Sequence, residues 1–301
     1  MNTSLSTAKA KPYVEALLIL CAAVWGLTFT AGKVAGQQAT PLNATMWRFI
    51  IAAFILVPMA FKSSLAAKKL SPADWLGLFV SGLTGLVLYN FFFIRGLSMI
   101  SASRGSVIVC GSPALIYLGS VIFFREKLTF LRCLGVALSL LGTAWVVTSG
   151  HLEAIFAGGL GTGDLIMLGC PLSWTAYSLL AKIILGRVDP LSANAWSVLA
   201  AVLLLTILVP ATGESFGQAA DYSLSVWLAL AFLGLGGTAL GFTLFYIGIS
   251  TIGPHRAAAY INLVPVFGVL AGWLLLNERP DLSLLTGLAL ILLGLRLVQK
   301  Y

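Results

Sequence analysis

Aromatic side chains recur at helical spacing in four apolar stretches of the chain: Trp25 and Phe29, Tyr89 and Phe93, Trp174 and Tyr177, then Phe242, Phe245 and Tyr246. Spacings of three and four put each set on one helix face. Where such faces meet, their rings form a box that holds an apolar or aromatic group by stacking. Helix packing or lipid contact is the duller alternative, and it fits the individual Phe residues better. Polar groups inside the same stretches are fewer. Asn90 and Asn262 carry amides that hydrocarbon does not tolerate unpaired. Ser112 precedes Pro113, and Asn262 lies three residues before Pro265. A proline withholds the N–H that the carbonyl four residues earlier would have accepted. Freed carbonyls together with Asn90, Ser112 and Asn262 can hydrogen-bond a ligand's ammonium or carboxylate. Bonding from helix to helix is the alternative. Tyr260 and Tyr117 are weaker candidates for the same wall. Covalent chemistry has no comparable support, because no cluster of Asp, His or Lys gathers at one place. The four cysteines stand isolated, without metal-ligand spacing, and His151 and His255 fall in expected loops. No catalytic residue, metal or cofactor is expected.

These candidates sit on elements that must cross a membrane. The chain is 59% hydrophobic and 9% charged, with a mean hydropathy of +0.99 over 301 residues. Soluble domains carry about a quarter charged residues. Apolar stretches of about 20 residues, long enough for a bilayer, succeed one another at 13–32, 43–61, 74–94, 101–123, 129–148, 163–184, 191–210, 224–248, 255–276 and 282–299. The expected architecture is an all-α integral membrane protein of ten transmembrane helices. The first stretch reads as a retained helix, not a cleaved leader.

The chain is also written twice. A shift of 152 residues carries Trp75 onto Trp227, Arg104 onto Arg256, Pro113 onto Pro265, Glu126 onto Glu278, Gly135 onto Gly287 and Gly142 onto Gly294. Nearer the start, a shift of 149 carries Trp25 onto Trp174 and Lys33 onto Lys182. Two repeats of five helices follow, over 1–150 and 151–301. Five is odd, so the second repeat enters the membrane from the opposite face. Inverted repeats of this kind belong to transporters, whose two parts rock about a central site.

Charge agrees with that topology. With the N-terminus inside, thirteen of the 18 Lys and Arg residues fall at inner ends of spans, which is a positive-inside bias. Both termini are expected in the cytoplasm. The net charge of +8 thus reports orientation, and no nucleic-acid partner is expected. The seven-residue Gly spacings, 135 to 142 and 287 to 294, suit close helix packing. Glu126 and Glu278, at junctions between spans, are expected to favour the N-terminus of the following helix. Arg48, near the outer end of the second span, is expected to snorkel to the headgroups. Arg104 and Arg256 read as interfacial anchors, with gate latches or anion contacts as the alternatives.

The second part of each repeat carries a recognisable pattern. It reads Gly96-Leu-Ser, Arg104, Pro113, Arg125-Glu126-Lys127-Leu128-Thr129, Gly135 and Gly142 in the first, and Gly248-Ile-Ser, Arg256, Pro265, Asn277-Glu278-Arg279-Pro280, Gly287 and Gly294 in the second. With Trp25-Gly26, this resembles the EamA-type branch of the drug/metabolite transporter superfamily over essentially the whole chain. The resemblance implies a cavity lined by spans 1, 3 and 4 and by 6, 8 and 9, and cargo that is often an amino acid or related metabolite. No Asp or Glu lies near the middle of any span, unlike the deep glutamate of the small four-span exporters of that superfamily. Proton coupling through a buried carboxylate is therefore not expected. The expected protein is a plasma (inner) membrane exporter of small metabolites, most of all amino acids with aromatic or hydrophobic side chains. It works by alternating access, through uncoupled diffusion or exchange, as a monomer among membrane lipids. Trp25, Tyr89, Trp174, Tyr177, Phe242 and Tyr246 form its apolar wall, and Asn90, Ser112, Tyr260 and Asn262 its polar contacts. Efflux of bulky cations and a membrane enzyme acting on a lipid-linked substrate stand as rivals.

Overall fold

The computed structural model describes residues 4–62, 70–126, 129–155, 160–184, 187–252, 257 and 260–300, except for some side chains near the chain ends and in the segments flanking the remainder. Helices make up nearly all of it, and no strand occurs among the described residues. They are α1 (Ser4–Ala35), α2 (Pro41–Lys62), α3 (Pro72–Ser81), α4 (Tyr89–Leu97), α5 (Ala102–Val109), α6 (Ser112–Phe124) and α7 (Phe130–Val147). The second part of the chain gives α8 (Thr162–Ile184), α9 (Pro190–Ala211), α10 (Leu224–Ala231), α11 (Gly241–Ile252), α12 (Val264–Leu276) and α13 (Leu282–Lys300). A π-helical stretch, Gly82–Leu88, joins α3 to α4 end to end, and another, Phe232–Leu240, joins α10 to α11.

Eight continuous stretches are long and apolar enough to cross a bilayer, among them Pro12–Ala35, Pro72–Leu97 and Leu224–Phe245. The expected ninth and tenth spans are occupied by shorter apolar helices, Val264–Leu276 and Leu282–Val298. Part of the ninth, together with His255 and Arg256, lies outside the described residues.

Helix ends follow local chemistry. Ser71 and Asp74 form a reciprocal capping box at α3, with Pro72 in the first turn. Ser101 accepts from the Arg104 N–H at α5, and Asp189 from the Ser192 N–H at α9. At their C-termini α6 and α12 stop alike, in a left-handed residue: Arg125 at φ 54° and Asn277 at φ 55°. Asn tolerates that region well and Arg less so. The reversal hands the chain directly to Glu126 and Glu278.

The side-chain distribution is that of a bundle immersed in hydrocarbon. Phe54, Phe123, Ile207 and Leu274 stand exposed on outer faces, while Asn43, Thr45, Arg48, Asn90 and Thr238 are buried inside. Within, Phe29, Phe93, Leu97, Ile108 and Met167 pack α1, α4, α5 and α8 together. Phe49, Leu56, Val198 and Leu205 pack α2 on α9. Helix α1 lies against α11 and α12, whereas α8 lies against α4 and α6, so each places itself among helices of the other part of the chain. Helices α7 and α13 cross antiparallel with bare backbones touching. A Cβ on Gly135 would sit 2.6 Å from the Gly294 carbonyl oxygen, and one on Gly142 would sit 2.8 Å from that of Gly287. Close approach is thus what these glycines provide.

Candidate functional site

Because α1 and α8 are exchanged between the two parts, the aromatic faces expected from sequence come together around one cavity of about 440 Å³. Trp25 meets Phe242 with ring centroids 5.4 Å apart, Phe242 meets Trp174 at 6.4 Å, and Trp174 meets Tyr89 at 5.5 Å. All four rings border the cavity. Their spacings and tilted orientations lie in the range of favourable aromatic pairs. Trp25 is fixed by its indole Nε1, which donates to the Gly237 carbonyl oxygen at 2.9 Å, and its ring fills the space that a side chain at Gly241 would need.

The polar candidates divide. Ser112 and Asn262 border the cavity. Helix α5 ends at Val109 and α6 begins at Ser112, a break that Pro113 enforces. The carbonyl that Pro113 leaves free, that of Val109, is already taken by the Ser112 hydroxyl at 2.5 Å. The Ser112 hydroxyl proton is thereby committed, so Ser112 offers a ligand only its oxygen as an acceptor, while the Val109 carbonyl retains its second lone pair. Ile261, whose carbonyl Pro265 cannot bond, also borders the cavity.

Three expected residues are not among those bordering it. Asn90 is buried and turned toward Arg48. Tyr177 lies against Trp174, with ring centroids 5.1 Å apart and planes tilted by 39°. Tyr260 packs near Val14 and Leu18 of α1. The Tyr246 side chain lies outside the described residues.

Two charged groups take places the sequence did not suggest. Arg48 does not snorkel. It is 8% exposed, borders the cavity, and donates from Nη1 to Asn90 Oδ1 at 2.6 Å and from Nε to Thr238 Oγ1 at 3.1 Å. Its partners come from α4 and from the second π-helical stretch, so only the folded bundle assembles them. The available signal was the coincidence of two polar groups inside apolar spans, Arg48 and Asn90. Glu278 does cap a helix N-terminus, but that of α5. One carboxylate oxygen accepts from the Ala102 N–H at 2.8 Å, the other from the Ser103 N–H at 2.9 Å and the Ser103 hydroxyl at 2.8 Å. Asp281 caps α13 instead, accepting from the Leu284 N–H. The hydrogen bonds from Leu284 and Ser283 and the nearby Arg104 charge hold the Asp281 carboxyl below its ordinary pKa against the opposing effect of burial.

The cavity reaches out to Glu126 at the end of α6. There the carboxylate pairs with Lys182 at 2.6 Å, both side chains well exposed. At the far end Arg104 donates to Asp164 at 2.5 Å, to the Val147 carbonyl oxygen at 2.7 Å and to the Ser149 hydroxyl at 2.9 Å. Lys33 lies 3.8 Å from Glu278 and donates to the Ile100 carbonyl oxygen. None of these far-end groups borders the cavity. No cluster able to hold a metal occurs among the described residues.

Membrane-length helices enclosing one central chamber, lined by rings and reaching the surface at one end, have the architecture of a small-molecule transporter. The chain belongs to the EamA-like transporter family, whose model matches residues 13–148 and again 161–299. It is similar to an uncharacterized transporter of Archaeoglobus fulgidus, 27% identical, with 94% of this chain and 98% of that one covered. It is also similar to a probable terminal-alkyne amino-acid exporter of Streptantibioticus cattleyicolor, 22% identical over 94% of this chain and 92% of the relative. A crystal structure aligns over 95% of this chain and 96% of its own, at a TM-score of 0.64 and 22% identity, a likeness of fold. The chain is thus a multi-pass membrane transporter.

Proposed function

We propose that this transporter exports small amino acids with aromatic or hydrophobic side chains across the plasma membrane by alternating access. The observation that carries the proposal is the continuous run of rings Trp25–Phe242–Trp174–Tyr89 on the cavity wall. The relative named as a probable amino-acid exporter supports the same cargo class. The cavity, about 440 Å³, is large enough for one such molecule, whose side chain lies on the rings while Asn262, Ser112 and the region of the Ile261 carbonyl are acceptors within reach of its ammonium group. Two inverted five-helix repeats, 1–150 and 151–301, supply the moving parts with α1 and α8 exchanged between them, with both termini in the cytoplasm and a single chain as the working unit. Transport is uncoupled diffusion or exchange, since among the described residues the one carboxylate bordering the cavity, Glu126, sits at its exposed mouth. The same position disfavours efflux of bare cations, which call for a buried counter-charge.

The test is counterflow in proteoliposomes without a pH gradient, loaded with unlabelled amino acids and offered labelled ones. Labelled phenylalanine, tryptophan or leucine accumulates transiently with the native protein. Trp25→Ala and Trp174→Ala each lose more than about tenfold of the rate, consistent with removing an aromatic contact from a ligand pocket, while inserting at native levels. Native rates in both variants would remove the aromatic wall from the proposal.

A further inference from the structure

Among the described residues the charge of Arg48 meets no carboxylate; its guanidinium carbon lies 5.5 Å from the centre of the Phe49 ring. Seven residues beyond Pro41, at about 1.5 Å per residue, Arg48 stands about 10 Å inside α2. A guanidinium stays ionised there, and an ion withdrawn from water without a counter-ion costs several kcal/mol. Its hydrogen-bond partners are neutral. Asn90 directs its oxygen at Arg48 because its own Nδ2 donates to the Leu86 carbonyl oxygen at 2.8 Å. The Thr238 hydroxyl donates to the Leu233 carbonyl oxygen at 3.1 Å and so offers Arg48 only a lone pair. These two groups aim the guanidinium and leave its charge uncancelled. Among the described residues no carboxylate pairs with it: Asp164, Glu278 and Glu126 are bound to Arg104, the α5 N-terminus and Lys182.

The wall is cut low beside the free edge of this group. A Cβ at Gly237 would lie 3.4 Å from Arg48 Nη2 and 2.7 Å from Thr28 Cγ2. Arg48, Thr28 and Gly237 border the cavity next to Trp25 and Tyr89. A positive fork fixed in orientation, beside the rings and with no carboxylate on it among the described residues, matches a carboxylate, which accepts two parallel N–H bonds from guanidinium.

We propose that Arg48 anchors a carboxylate subsite, and that the ligand of this cavity is an organic acid whose apolar body extends from Arg48 along Trp25 and Phe242 toward Trp174. As a statement about cargo this rests on the transport reading above. As a statement about binding it does not.

Calorimetry and thermal unfolding of the purified full chain test it with two matched pairs of probes, 3-phenylpropionate against 3-phenylpropanamide and phenylalanine against phenylalaninamide. The acids bind and raise the unfolding temperature, and each amide binds about 30-fold or more weakly, the scale for removing one partner of a buried charge pair. Arg48→Met brings acid and amide to equal, weak affinity, and Arg48→Lys recovers part of the preference. Equal binding of acid and amide to the native protein, binding of neither acid, or an unchanged preference in Arg48→Met overturns the anchor. Should Arg48→Met fail to fold, the native acid-to-amide ratio still decides. The two readings also fail separately. Acid-selective binding without counterflow of any amino acid leaves the anchor and removes the cargo. Counterflow of phenylalanine with no acid preference leaves the cargo and removes the anchor.

Discussion

At one end of the bundle, Glu278 is drawn onto the N-terminus of α5 with Lys33 beside it, the two side chains 12% and 28% exposed. At the other end, Glu126 and Lys182 pair in the open, 37% and 50% exposed. These are the same residues in the two-fold pattern of the sequence, Glu126 matching Glu278 and Lys33 matching Lys182. Each pair joins residues from opposite parts of the chain. Arg104 and Asp164 repeat the contrast, because they form a well-buried pair at the Glu278 end while Glu15, the match of Asp164 by the 149-residue shift, stands exposed. One chemical device therefore occurs twice, sheltered on a helix N-terminus at one end and paired in the open at the other. The cavity opens at the exposed end. Under the alternating-access proposal the two ends exchange these conditions, and the contrast becomes a measurable bias.

Glu278→Ala should break the contrast most strongly. It strands two backbone N–H groups and a hydroxyl, each costing about 1–3 kcal/mol when buried and unpaired, so opening at that end becomes favoured by about a hundredfold or more. Cys110, which borders the cavity, reports the change in a Cys133→Ser background. An impermeant maleimide labels it from the Glu126 side in the native protein and from the Glu278 side in the variant. Unaltered sidedness would reduce Glu278 to a static cap.

Asp164→Asn should act in the same direction but less, by about tenfold, since Arg104 keeps its bonds to Val147 and Ser149 while losing its counter-charge. The same labelling ratio reads it. Lys182→Met should do least to the state described. Exposed pairs contribute about 0–1 kcal/mol, so 3-phenylpropionate affinity and Cys110 labelling change by no more than about fivefold. Counterflow, which must visit both states, falls further than affinity does. Equal losses in the two measurements would contradict an exchange of roles between the ends.

Much of this was legible in the sequence because helix periodicity and apolar length are local. The stretches carrying Trp25, Tyr89, Trp174 and Phe242 are helices, and their rings face one another as the spacing of three and four implied. The seven-residue Gly spacing also marked a close crossing. What escaped depended on partners distant in the chain. Arg48 looked like a snorkelling residue because an arginine near a span end reaches water by default, and nothing local pairs it with Asn90 and Thr238. Asn90 looked like a ligand contact for the same reason. Glu278 was expected to serve its own following helix, since proximity in sequence is the only proximity a sequence displays. Ser112 shows the converse: its bond to the carbonyl released by Pro113 is local, but its competition with ligand binding appears only with a measured distance.

The glycine seam has a consequence for how the protein is made. Gly135 and Gly142 lie on α7, whereas the backbones they touch, at Gly294 and Gly287, come about 150 residues later. At synthesis rates of about 5–20 residues per second, α7 waits roughly 8–30 s for its partner. For that interval its bare groove lies against lipid or an assembly factor. The seam therefore closes only when α13 arrives, and truncation ahead of α13 would deprive α7 of its most extensive helix contact.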